Sequence, residues 1–256
     1  MAYLKIAEGC DKRCSYCIIP KIRGRFRSVP MQELLNEAKR LASEGVKELV
    51  LVAQETTLYG KDLTGEKQLP LLLHELCKIE GIEWIRLLYC YPEEITDELI
   101  KVIKTEEKVC NYIDMPIQHS ENRILQRMGR RTSREDLVAV IKKLRKEIPD
   151  ITIRTTLITG FPGESQEDHE GLMNFVEECQ FDRLGVFTYS PEEDTLAATF
   201  EDQIDEEVKE ERRDELMSLQ QEISYEHTQQ LVGKTIKVMV EGYLFEDDIY
   251  VGRSYM

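Results

Sequence analysis

Six times in the first ~190 residues, a short apolar run is followed by a helix-like pattern. The strand-like runs are Tyr3–Ala7, Leu49–Ala53, Trp84–Leu88, Tyr112–Met115, Ile151–Ile158 and Arg183–Tyr189. Between them lie helical patterns over Met31–Glu44, Leu69–Lys78 and Thr96–Thr105, a helix opened by Ser133, and one from Ser165 to about Cys179. Ser133 with Asp136, and Ser165 with Asp168, have the S-x-x-D spacing of a capping box. Alternation of this kind demands parallel strands with right-handed crossovers. LVLVA at Leu49–Ala53 is apolar throughout, as a strand covered on both faces must be. The fold class is therefore α/β, and six units make an open partial barrel or a doubly wound sheet. Either way, ligands belong at the carboxyl ends of the strands.

The pattern changes after residue 190. Asp205–Gln230 reads as a long charged helix with Val208, Leu216, Leu219 and Ile223 on one face. Lys234–Glu241 alternates and predicts a strand; Asp247–Asp248 predicts a turn into Ile249–Gly252. The expected organisation is a barrel over 1–200, a connecting helix over 201–233, and the start of a small β-domain over 234–256.

Charge narrows the function. The chain carries 49 acidic and 34 basic residues, a net charge of −15. A general nucleic-acid binder would be basic; this surface repels phosphate and attracts basic partners. Charge is uneven, however. Lys12–Arg27 holds six basic residues and no acidic one, whereas Glu192–Glu215 holds twelve acidic and three basic. No apolar run approaches the ~18–20 residues of a membrane span, and the N-terminus has no secretory pattern. Seven cysteines, an odd number in a chain of this length, fit a reduced cytoplasmic protein better than a disulfide framework.

Three of those cysteines form Cys10-x-x-x-Cys14-x-x-Cys17, in a loop after the first predicted strand. Three thiolates on one loop suit a soft metal centre. A structural zinc would need a fourth ligand, and His74, His119, His169 and His227 are all distant in sequence. An iron–sulfur cluster held by three cysteines would keep one iron open. An unligated cysteine loop is the third reading.

The stretches Gly9–Ser28 (GCDKRCSYCIIPKIRGRFRS), Gln54–Gly60 (QETTLYG) and Gly160–Glu164 (GFPGE) resemble the methylthiotransferase family of radical S-adenosylmethionine (SAM) enzymes. Asp114–Arg131 and Phe181–Thr195 resemble the branch that modifies an aspartate of a small-subunit ribosomal protein. The tRNA-modifying branch typically has Gln-Ser where this chain has Gln118-His119. The resemblance covers nearly all of residues 3–256. It implies a partial (β/α)6 TIM-like barrel followed by the opening of a TRAM-type β-domain. It implies a [4Fe–4S] cluster on Cys10, Cys14 and Cys17 whose open iron binds SAM, and reductive cleavage of SAM to a 5′-deoxyadenosyl radical. An electron donor and a basic ribosomal-protein substrate are the implied partners.

By the same resemblance, Tyr16 meets adenine, Gln54 and Glu55 lie where the SAM ammonium binds, and Gln118 lies at the same barrel end. Arg154 is a fork for the SAM carboxylate or a partner for a neighbouring strand. Gly160 and Gly163 give close backbone approach to SAM or make a plain turn. His119 reads as a structural histidine or a substrate contact. The basic run beside the cysteines reads as a counter-charge to the cluster. Cys77, Cys90, Cys110 and Cys179 read as small buried hydrophobes. Family members carry an N-terminal domain with a second cluster, so this chain is expected to be the central core of a longer enzyme. A tRNA adenosine methylthiotransferase and a non-catalytic metal-binding module are the competing readings.

Overall fold

The computed structural model describes all 256 residues. Six parallel strands form the frame. β1 (Ala2–Lys5), β4 (Glu48–Val52) and β5 (Trp84–Leu87) make one sheet, in that order. β6 (Tyr112–Asp114), β7 (Thr152–Thr159) and β8 (Arg183–Thr188) make the second. A parallel bridge between Ile85 and Val109 joins the two halves. Spatial order equals chain order, so every crossover steps one strand along, as in an open half-barrel.

Between the strands run α2 (Met31–Ser43), α4 (Leu69–Cys77), α5 (Asp97–Thr105), α7 (Arg134–Glu147) and α8 (Gln166–Cys179). Leu49, Leu51, Ile85, Leu87, Ile113, Ile153 and Leu157 join the main core under these helices. The alternate residues face the barrel interior, which is why charged groups such as Arg86, Asp114 and Arg154 occur in these strands. Cys90, Cys110 and Cys179 are buried and Cys77 is half-buried; burial pushes these thiols up, to about 12 for Cys77 and Cys90 and about 11 for Cys110 and Cys179.

Both capping boxes form. Ser133 and Ser165 each accept the backbone N–H three residues on, and Asp136 and Asp168 return the bond. Ser165→Ala should cost about 1 kcal/mol, seen as a lowered denaturation midpoint at unchanged slope. An unchanged midpoint would show that the Arg123–Asp168 pair holds this helix end without the cap.

Short elements without a clear periodic signal fill the loops: β2 (Ala7–Glu8), α1 (Ile19–Arg23), β3 (Arg27–Ser28), α3 (Lys61–Thr64) and α6 (Asn122–Arg127). β2 and β3 pair antiparallel, so the cysteine loop leaves and returns at one place. α9 (Glu206–Gln229) packs along β8, the free edge of the barrel, and buries Leu216, Ile223 and Gln220. The last strands differ from expectation. β9 is Met239–Leu244, not Lys234–Glu241, and pairs antiparallel with β10 (Ile249–Arg253). Pairing starts at Met239 opposite Arg253, and the alternating residues before it have no strand opposite them.

Two strands do not stand alone; this hairpin docks on the amino ends of the barrel strands. Arg253 pairs with buried Glu48, Arg86 donates to the Tyr255 carbonyl at 2.6 Å, and Met239 and Tyr255 pack on Trp84, Cys110 and Tyr112. No helix is long and apolar enough to cross a membrane.

Candidate active site

The cysteine loop lies over the carboxyl end of the barrel and is anchored on both sides. Cys10 N–H donates to the Gly24 carbonyl at 3.1 Å, and Ser15 N–H and Oγ donate to the Met128 and Arg127 carbonyls. Gln54, just beyond β4, accepts from Gly9 N–H at 2.9 Å, so its side chain positions the loop. Cys10 and Cys14 are buried, Cys17 is half-buried, and all three are free thiols. Burial raises Cys10 to about 11, reinforced by the nearby Cys14 and Cys17 and opposed by the Lys12 N–H. Nowhere do three His, Cys, Asp or Glu side chains converge as ligands of a single ion. A cubane asks for a wider triangle, because each cysteine binds a different iron. Three neighbouring thiols on one anchored loop fit that donor set, and ligation would release their protons.

Glu55 is the second feature. It is fully buried, and burial pushes its carboxyl up to about 7, against the Thr57 hydrogen bond and the Lys12 charge. Oε1 accepts from Thr57 N–H at 3.1 Å and from the Thr57 hydroxyl. Oε2 is buried with no partner. An acceptor left unpaired in the interior costs free energy until a donor arrives. Glu55 directly follows Gln54, whose side chain holds Gly9, so the buried carboxyl adjoins the residue that anchors the cysteine loop.

Most of the basic run beside the cysteines has acidic partners of its own. Lys12 pairs with Glu93 and Glu94, Arg23 with Glu8, Arg25 with Asp11 and Lys21 with Asp194. That basic run is largely neutralised by its own surroundings. The buried cation near Cys14 is Arg130, whose guanidinium lies 4.3 Å from the Tyr91 ring centroid. Lys12 Nζ lies 4.7 Å from the same ring, and the Tyr91 hydroxyl is 3.6 Å from Cys14 Sγ. Tyr91 stands in no periodic or motif context, and Arg130 lies within the Asp114–Arg131 stretch without anything there that singles it out.

The remaining candidates separate. Tyr16 packs edge-on against Phe161 at 6.5 Å, beside Ile124, Met128 and Tyr189. Gln118 takes a left-handed φ of 73° and bridges to β7 through Ile158 N–H. His119 is fully buried. Its Nδ1 accepts from Glu121 N–H at 3.0 Å, which leaves Nε2 as the N–H. Nε2 stands 3.5 Å from Glu164 Oε2, an ion-pair distance without hydrogen-bond alignment. Burial works to raise the Glu164 carboxyl, but His119 and Arg212 hold it low. Arg154 sits within β7, with Nη1 2.8 Å from Asp114 Oδ1 on β6, so the neighbouring-strand pair forms while the rest of the fork makes no ion pair.

Gly160 and Gly163 sit in the turn after β7. Their φ values are 68° and 81°, and a Cβ at either would run into α9 Lys209 or into Asp202 and Arg127. Their close approach is to this chain's own side chains. Lys209 covers Gly160 and donates to the Tyr189 carbonyl at 3.0 Å, while Arg212 pairs with Glu164 at 2.9 Å. Gly160→Ala should cost about 2–4 kcal/mol, from the left-handed φ and the overlap with Lys209 together. Thermal unfolding would show it, and the double variant with Lys209→Ala should recover part of the loss. No recovery would remove Lys209 as the cause.

A family model described as the radical SAM superfamily matches residues 4–176. The chain belongs to the radical SAM superfamily. Within the radical SAM enzymes it is 64% identical over 255 residues to the ribosomal protein uS12 methylthiotransferase RimO of Lachnoclostridium phytofermentans, covering 100% of this chain and 58% of that protein. It is 58% identical over 254 residues to the protein of that name in Clostridium perfringens, covering 99% and 57%. The chain thus spans a little over half the length of these curated relatives. Among solved structures, the radical SAM enzyme coproporphyrinogen III oxidase HemN of Escherichia coli matches with a TM-score of 0.65 at 20% identity, over 86% of this chain and 52% of that one. The methyltransferase TsrM of Kitasatospora setae, with cobalamin and a [4Fe–4S] cluster bound, matches at 0.61 and 18% identity over 73% and 36%. These structural likenesses establish a shared radical SAM fold.

Proposed function

We propose that this chain is the catalytic core of a methylthiotransferase that modifies an aspartate of ribosomal protein uS12. Cys10, Cys14 and Cys17 would hold a [4Fe–4S] cluster, and Glu55 would receive the ammonium of SAM. The observation that carries the cofactor reading is the buried, unpartnered Oε2 of Glu55, next in the chain to Gln54, which holds the cysteine loop. The substrate reading rests on 64% identity across the whole chain to an enzyme named for uS12. When bound, the cluster supplies the single electron, taken from an external donor, that splits SAM to a hydrogen-abstracting radical.

The chain's own residues do the rest. Gln54, through Gly9, and Ser15, through α6, fix the loop that carries the thiols. Arg130 places a buried positive charge on the Tyr91 ring, whose hydroxyl reaches Cys14. Glu164, with His119 and Arg212, braces the turn after β7, so the carboxyl rim is rigid before any ligand arrives. The barrel interior gives the substrate a place away from bulk water.

The decisive experiment presents isolated uS12 and tRNA separately to the full-length enzyme, reconstituted with iron and sulfide. Mass spectrometry should find a methylthio group on a uS12 aspartate and none on tRNA. Modification of tRNA alone would establish the adenosine-modifying reading, and zinc retention without SAM cleavage the non-catalytic one. The net charge of −15 favours a basic protein partner. Affinity for uS12 should therefore fall as salt rises from 50 to 300 mM (on the order of the Debye-length change that screens surface charge). Affinity that ignores salt would count against charge as the attraction.

A further inference from the structure

The inner face of β6 and β7 holds a charge arrangement that the cofactor reading does not use. Arg154 on β7 stands opposite Arg183 on β8 in the strand register. Side chains at paired positions on neighbouring strands are close, and like charges there repel. Only one acid, Asp114, meets them from β6, and it takes only Nη1 of Arg154. Asp114 is 1% exposed, whereas the Arg154 side chain is 41% exposed. The rest of its guanidinium fork faces open space. Arg183 makes no ion pair, and it lines with Arg154 a cavity of about 700 Å³ between the strands and α9. Asp214 also borders that cavity but pairs with Arg213 at 2.8 Å. Arg183 is exposed and also borders a second cavity with Asp150 and Asp182, so the donors left unmatched in this layer are those of Arg154.

Tyr89 completes the arrangement. It is 47% exposed and holds a left-handed φ of 57°, which costs a bulky residue free energy. The conformation is pinned from both sides. Tyr89 N–H donates to Asp114 Oδ2 at 3.1 Å, and its carbonyl accepts from Thr56 N–H and Oγ1, each at 3.1 Å. Asp114 thus orients Arg154 with one oxygen and Tyr89 with the other. Strain held in place next to unpaired donors is the mark of a binding site rather than of a structural ion pair.

Position decides which ligand this suits. Arg154 sits within β7, but Asp114 is the last residue of β6 and Tyr89 lies beyond the end of β5, its carbonyl held by Thr56, the neighbour of Glu55. The set therefore opens toward the same rim as Glu55 and the cysteine loop, and an aspartate side chain held on Arg154 keeps its β-carbon toward that rim. Resting on the reading above, we propose that Arg154, supported by Asp114, Tyr89 and Arg183, receives the carboxylate of the substrate aspartate and so selects it. A guanidinium fork matches a carboxylate's two oxygens and offers an amide much less.

Two measurements test this. On the apoprotein, N-acetyl-aspartyl amide should shift the NMR resonance of the Arg154 Nε–H, and N-acetyl-asparaginyl amide should leave it in place. On the full-length enzyme, wild type should bind uS12 about 100-fold more tightly than uS12 with its target aspartate changed to asparagine. Arg154→Lys keeps the charge beside Asp114 and should cut that preference below about 5-fold, with SAM affinity unchanged. Arg154→Met should lose the preference entirely. A preference that survives Arg154→Lys, or the absence of any shift with the aspartyl amide, overturns the proposal. SAM affinity that falls with the lysine variant also overturns it and assigns Arg154 to the cofactor's carboxylate. If the aspartyl amide shifts Arg154 but wild type ignores uS12, the receptor stands and the uS12 reading fails.

Discussion

Glu55→Gln is expected to cost SAM about 100-fold or more in affinity, and to reverse its own effect on stability between pH 5 and pH 8. An unfolded glutamate ionises near 4.5, whereas burial holds the Glu55 proton until about 7. The fold therefore favours the neutral acid. Its contribution is fully present below pH 4.5 and is lost as pH rises toward 7. The shift corresponds to roughly 3 kcal/mol against the folded state above pH 7. Glutamine has no such dependence. It keeps the Thr57 hydrogen bonds on its oxygen but places an amide N–H₂ where Oε2 now lacks a partner. That substitution costs about 1–3 kcal/mol. At pH 5 the variant should be the less stable protein, and at pH 8 the two should be equal or the variant ahead. Parallel stability curves for parent and variant would refute the buried proton.

The loss of SAM has the same origin. A carboxylate in this site meets an ammonium as a charge-assisted pair in a dry environment, and an amide cannot. Truncating one side of such a pair costs about 2–5 kcal/mol. Calorimetry with the cluster-loaded protein measures it directly, and unchanged affinity would place the ammonium elsewhere.

Cys14→Ala is expected to abolish both iron retention and reductive SAM cleavage. Cys14 is buried, tied to the loop through its carbonyl to Cys17 N–H, and faces the Tyr91 hydroxyl. Alanine removes one sulfur without disturbing these backbone bonds, so the apoprotein should melt near the parent temperature. Iron per chain after anaerobic reconstitution should fall to background, and 5′-deoxyadenosine should become undetectable. Cys90→Ala, which touches only the core near Thr56, should keep its iron. A variant lacking Cys14 that still holds a stable cluster would sink the three-cysteine assignment.

The parts of the fold that came directly from the chain are those with local causes. Leu49–Ala53 is apolar because both faces of a parallel strand are covered, and Ser165 with Asp168 closes a helix start within four residues. Arg154 in the middle of an apolar strand was visible as an anomaly. Its partner was not, because Asp114 lies forty residues away and meets it only through strand register. Gly160 and Gly163 were visible as turn glycines, while the side chains that fill their open faces come from Arg127 and from the segment 202–209. The strand expected at Lys234 began instead at Met239, since an alternating pattern becomes a strand only where a partner strand lies beside it.

The sequence alone determined the β/α alternation, the helix caps, the cysteine loop at the first strand's end, and the acidic net charge. Each follows from residue type and spacing over a few positions. Tertiary structure alone decided that Glu55 is buried with one oxygen unpaired and that Arg130, not the Lys12–Arg27 run, is the buried cation beside Cys14. It also decided that Arg154, Asp114 and Tyr89 share one layer of the barrel interior. Burial, desolvation and strand register depend on what packs against a residue from far along the chain, and no local pattern records them.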